Sequence, residues 1–89
     1  MPAATMVSAE SLLDVHGPAL RSFLGARCRD PQLTADLLQE TALRLVAAQA
    51  RLDGEQNPRG YLFRIAANVW RDHLRRQLTE RRMVEQLTR

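Results

Sequence analysis

The segment from Asn57 to Arg76, NPRGYLFRIAANVWRDHLRR, leaves a chain of this kind little choice of local structure. Placed on a helix at about 100° per residue, its side chains separate into two faces. Arg64, Asn68, Arg71 and Arg75 follow i, i+4, i+7 and i+11 and form one narrow polar stripe. Leu62, Ile65, Ala66, Val69 and Trp70 fall on the other side, where they can pack into a core. Asn57 is placed to cap the helix, and Pro58 to fill its first position, where a missing N–H does no harm. A helix that buries one face and offers a row of guanidinium groups on the other can dock on phosphates and reach base edges.

Eighty-nine residues make one small domain, which at this size buries only about 60% of its unfolded surface. A hydrophobic content of 45% is enough for one efficient core, and four glycines and four prolines are too few for a linker-like chain. Strand formers are scarce while Leu, Ala, Arg, Gln and Glu abound, so the expected fold is all-α, a compact bundle of three to four helices. The formal charge of +3 is unevenly spread: five arginines face seven acids from Met1 to Pro58, but seven face two from Arg59 to Arg82. An acidic front and a basic back point to two partners of opposite character, with a polyanion at the basic end; the bland alternative is a merely soluble surface. All thirteen basic residues are arginine, which suits bidentate phosphate contacts, but the absence of lysine is assigned to a GC-rich genome and carries no functional argument.

Cys28 is the only cysteine, so no disulfide can close within the chain, and it is read as a small buried apolar residue. MPAATMVSAES has neither a basic leader nor an apolar core and is not read as a signal peptide. No apolar run approaches the roughly 20 residues of a membrane span, so no membrane insertion is expected and the protein is placed in the cytoplasm.

The first helix is expected to begin near Ser8 or Ser11, either of which could cap it, and to run to about Arg27. Leu12, Leu13, His16, Ala19, Leu20, Phe23 and Leu24 share its face, and His16 there is read as a half-buried packing residue rather than a ligand. Pro18 cannot donate to the carbonyl of Asp14, so a kink or a break is expected at Gly17-Pro18. Asp30-Pro31 opens a second helix, expected to reach about Ala50, with Leu37, Leu38, Thr41, Leu45 and Ala48 buried. Its outer face carries Asp36, Gln39, Glu40 and Leu43, and an exposed Leu within a polar stripe hints at a protein contact. The stretch from Leu52 to Pro58 is polar, has Gly54 at its turn and reads as an exposed loop. After Arg76 the pattern weakens, as expected of a fraying helix end or a linker.

Catalysis finds little support. GxSxG, P-loop and GxGxxG motifs are absent, and His16 and His73 lie far apart in sequence on packing faces. Asp36 and Glu40, one turn apart, lack the His or Cys pair that a metal site would add. No catalytic residue, cofactor or metal is assigned, and the chain reads as a binding module rather than an enzyme. Its arginine stripe carries no acidic i+4 partners, which argues against a face that is charged only for solubility. Asn68 adds an amide able to pair with a base edge, and Asp72 borders the stripe where it can restrain Arg75 or Arg76.

Two motifs resemble region 2 of the extracytoplasmic-function sigma factors, small bacterial factors that direct RNA polymerase to stress or uptake promoters. TADLLQETALRL, Thr34 to Leu45, is similar to the family's Ala-Glu-Asp-Leu-x-Gln-Glu-Thr-Phe-Leu-Arg. NPRGYLFRIAANVWRDHLRR is similar to its Pro-x-x-Trp-Leu-x-x-Ile-Ala-x-Asn-x-x-x-Asp-x-x-Arg-Arg. Order and spacing agree from Leu12 to Arg82, with a general look of the iron-uptake branch.

The resemblance implies roles. Asp36, Gln39, Glu40 and Leu43 would grip the clamp helices of the largest subunit of core RNA polymerase. Asp53, Gly54, Glu55, Gln56 and Asn57 would form the loop that captures a base flipped from the promoter −10 element. Arg59, Arg64, Asn68, Arg71, Arg75 and Arg76 would face the melted non-template strand of promoter DNA. An anti-sigma factor is a further implied partner. The implied layout is a tail over residues 1–10, the helical domain over 11–78, and over 79–89 the start of a linker toward a helix-turn-helix region 4 that this sequence lacks; the chain is therefore read as a fragment, the alternative being an unusual single-domain form. Ala42 stands where the family has Phe and Tyr61 where it has Trp, so the helix–helix contact is expected to be packed more lightly. Asp53 and Glu55 would repel phosphate but could accept from a base's amino group. A competing reading is a helical protein-interaction module whose basic helix meets an acidic protein partner.

Overall fold

The structure, a computed structural model, describes residues 7–88, which form four helices and no strand: α1 (Ala9–Cys28), α2 (Pro31–Ala47), α3 (Gln49–Asp53) and α4 (Pro58–Leu87). Residues 1–6, most of the expected tail, lie outside the described residues. Ser8 is the cap of α1, its Oγ accepting from the Ser11 N–H at 3.1 Å. The helix passes Pro18 without breaking. A residue before proline normally leaves the helical region because its Cβ meets the proline ring. Gly17 has no Cβ, and Asp14 and Pro18 are both exposed, so water can serve the carbonyl that loses its donor.

Arg29 ends α1 in the left-handed region at φ 55°, its N–H donating to the Gly25 carbonyl at 3.0 Å. Asp30 then caps α2, accepting from the N–H groups of Gln32 at 3.0 Å and Leu33 at 3.4 Å, with Pro31 in the first turn. The two buried threonines are satisfied locally: Thr34 Oγ1 donates to the Asp30 carbonyl at 2.8 Å and Thr41 Oγ1 to the Leu37 carbonyl at 2.7 Å.

The second helix stops at Ala47, short of the expected Ala50. Ala48 turns the chain, and α3 resumes at Gln49 in a direction that drives Leu52 into the core at 1% exposure. The exposed loop expected over Leu52 to Pro58 is thereby reduced to Gly54–Asn57. Leu52 gains more by burial among apolar side chains than it could by staying extended in water.

Leu20 and Leu24 of α1, Leu37 and Leu45 of α2, Leu52, and Leu62, Ala66 and Val69 of α4 meet in one core. The buried strip of α1 is narrower than its apolar face: Leu13, His16 and Phe23 are half-buried and Ala19 is exposed. Cys28, expected to be buried, is only half-buried at the end of α1. Ala42 sits in an open groove between α1 and α2, with Leu13, Gly17, Pro18 and Leu38 around it. The helix α4 extends through the expected fraying segment to Leu87, about 45 Å in all. From Leu74 onward every described residue is exposed. Among the described residues, no helix is long and apolar enough to cross a membrane.

Candidate functional site

The outer face of α2 presents the expected side chains. Asp36 and Gln39 are exposed, Leu43 is 64% exposed, and Glu40 is half-buried. Asp36 Oδ1 accepts from Gln32 Nε2 at 3.3 Å, which leaves the carboxylate charge in solvent. Val46, 54% exposed and one turn beyond Leu43, enlarges the exposed apolar patch on this face. The sequence reading missed it, although its i+3 spacing from Leu43 was the signal.

On α4, Arg64, Asn68, Arg71, Arg75 and Arg76 are all exposed along the helix. Asn68 Oδ1 accepts from Arg71 Nη1 at 3.1 Å, so the amide nitrogen of Asn68 is the end left to donate. Among the described residues, Arg64, Arg71 and Arg76 make no ion pair. Their field is therefore uncompensated at contact distance. Arg59 lies with its guanidinium 4.7 Å above the Phe63 ring, and Phe63 packs edge-on against Phe23 of α1 at 5.5 Å. Arg27 covers Phe23 at 3.7 Å, adding an exposed cation from α1 that the helical spacing of α4 could not reveal.

The loop residues are less free than expected. Asp53 belongs to α3, and its Oδ1 accepts from Gln49 Nε2 at 2.7 Å. Glu55 Oε1 accepts from the Asn57 N–H at 3.2 Å, and Asn57 Oδ1 accepts from the Gly60 N–H at 3.0 Å as the cap of α4. A Cβ at Gly60 would meet Asn57 Nδ2 at 2.5 Å and Cγ at 2.9 Å, so a larger residue there would push the Asn57 side chain out of this capping position. Gly54, at φ −98°, needs no glycine backbone. Gln56 is exposed with its side chain uncommitted among the described residues.

Between the acidic and basic faces stands Arg44, which no sequence argument had singled out. Its Nε and Nη2 reach Glu40 Oε2 at 3.1 and 3.0 Å, while Nη1 reaches Asp72 Oδ2 on α4 at 3.0 Å. Asp72 Oδ1 lies 3.6 Å from Arg75 Nη1. Burial pulls the Arg44 guanidinium down, but its hydrogen bonds to the Asp72 and Glu40 carboxylates outweigh that and leave it above the ordinary arginine value. The i+4 spacing from Glu40 was legible; the reach to α4 was not.

His73 stacks on Trp70 with centroids 5.7 Å apart, and its Nε2 is buried without a hydrogen-bond partner. Among the described residues, no three His, Cys, Asp or Glu side chains are grouped to hold a metal ion. This surface can bind, through charge, amide and aromatic contacts.

The sigma-70 region 2 family model matches residues 12–79, most of the chain and nearly all of its packed body. The chain belongs to the sigma-70 region 2 family. A curated relative, RNA polymerase sigma factor CarQ of Myxococcus xanthus, is 37% identical over 68 residues, which are 76% of this chain and 39% of that protein. The chain thus spans well under half the length of the relative it matches. No solved structure matches it. The region 2 match takes in α2, α3, the loop and the arginine stripe, and it ends where α4 has left the body.

Proposed function

We propose that this region 2 domain belongs to an extracytoplasmic-function sigma factor, binding core RNA polymerase by α2 and promoter DNA by the loop and α4. The reading rests on one observation. An acidic outer face with Leu43 exposed backs onto a helix on which Arg64, Arg71 and Arg76 make no ion pair among the described residues, within a domain of the sigma-70 region 2 family. Asp36, Gln39, Glu40 and Leu43 meet the clamp helices of the largest subunit. Arg59, Arg64, Asn68, Arg71, Arg75 and Arg76 follow the non-template strand of the −10 element, and the loop Asp53, Gly54, Glu55, Gln56 and Asn57 captures the extruded base, with Gln56 reading it.

Opening the promoter on this reading makes and breaks no covalent bond. Unstacking costs a few kcal/mol per base, offset by capture of the extruded base and by phosphate contacts in the melted strand. The domain works where polymerase and chromosome meet, in the cytoplasm, with an anti-sigma factor as the partner that holds it inactive. Gln39→Ala with Glu40→Ala tests the polymerase contact. The double variant should stay folded and lose pull-down of core enzyme, and undiminished pull-down by the folded variant would overturn the assignment.

A further inference from the structure

Four charged side chains form an alternating row from the outer face of α2 to the arginine stripe of α4: Glu40, Arg44, Asp72 and Arg75. The first three are joined at 3.0 Å, and the last link is longer, at 3.6 Å. The side chains of Glu40, Arg44 and Asp72 are 35–40% exposed, and only that of Arg75, at the end of the row, reaches 72%. The inner links are therefore the better shielded and the outer one the easiest to exchange.

We infer that Arg44 is a positioning residue coupling the two binding faces: how firmly it holds Asp72 sets how free Arg75 is to meet a DNA phosphate. The inference rests on the proposed polymerase and DNA surfaces. A planar guanidinium can serve Glu40 and Asp72 at once, as the geometry here has it. When a cationic side chain of the polymerase takes Glu40, Arg44 turns its whole charge to Asp72. Asp72 then loosens its hold on Arg75, and the stripe gains one uncommitted cation. Linkage makes this reciprocal: DNA that draws Arg75 away leaves Asp72 to Arg44 and frees Glu40 for the polymerase. Partly exposed pairs of this kind are weak, so the coupling amounts to about two- to threefold in affinity.

The test uses fluorescein-labelled oligo-dT, since phosphate contact is independent of sequence, with affinity measured over a salt series. Arg44→Lys keeps the net charge, but an ammonium cannot hold both carboxylates in the same fork. Asp72 should then turn to Arg75, lowering affinity about two- to threefold and flattening the salt slope by up to about 0.7. Asp72→Asn added to Arg44→Lys should restore the loss. Glu40→Gln should raise affinity beyond Asp14→Asn, which removes the same charge from α1 outside the row. This last comparison needs no core substitution, so it stands even where Arg44→Lys weakens the fold. Equal effects of Glu40→Gln and Asp14→Asn overturn the coupling, as does a folded Arg44→Lys that binds like wild type or is not rescued. Wild-type binding indifferent to salt would instead overturn the DNA surface itself.

Discussion

The side chain of Gln49 holds the first turn of α1 from a distance of 40 residues: its Oε1 accepts from the Ala9 N–H at 2.8 Å. Its Nε2 donates to the Val7 carbonyl at 3.0 Å and to Asp53 Oδ1 at 2.7 Å. One amide thus ties the start of the bundle to the short helix that leads into the candidate base-capture loop. Gln49→Ala removes partners from a part-buried N–H and carbonyl. It should cost about 1–3 kcal/mol, read as a lower midpoint in urea with unchanged slope.

Leu52 and Leu43 test the difference between core and contact surface. Leu52→Ala should cost about 2–5 kcal/mol, a large share of the stability of so small a domain. Leu43→Ala, at an exposed site, should stay within about 0.5 kcal/mol of wild type in thermal unfolding. Core-enzyme pull-down should respond in the opposite order, with folded Leu43→Ala losing it.

Gln56 and Asn57 are adjacent in the loop but do different work. Asn57→Ala removes a helix cap and should cost about 1 kcal/mol. Its effect on DNA binding should be the same for every −10 sequence tried, and Asn57→Ser should recover most of the stability. Gln56→Ala should leave the melting temperature in place and change the ranking of −10 sequences. A ranking unchanged by Gln56→Ala would make the loop structural only.

Arg64 and Arg71 carry no ion pair among the described residues, so their loss should appear as lost phosphate contact. Arg64→Ala with Arg71→Ala should reduce the slope of log affinity against log salt on single-stranded DNA by about 1.4, near 0.7 for each phosphate. Stability should change little, because neither guanidinium holds the fold.

Capping and periodicity act within a turn or two of helix, and for that reason they were legible in the residue order. Asp30-Pro31 and Asn57-Pro58 open their helices where expected, Ser8 starts the first, and Arg64, Asn68, Arg71 and Arg75 share one exposed stripe. The two long motifs also carried the family. Tertiary structure decided what depended on one helix docking against another. It drew Leu52 out of the supposed loop, joined Gln49 to the first turn of α1, and brought Arg44 to Asp72. It also let α1 continue through Pro18, since the freed carbonyl fell on the solvent side. Local propensity cannot encode these, because each depends on where a side chain from another helix comes to rest once the apolar faces are buried.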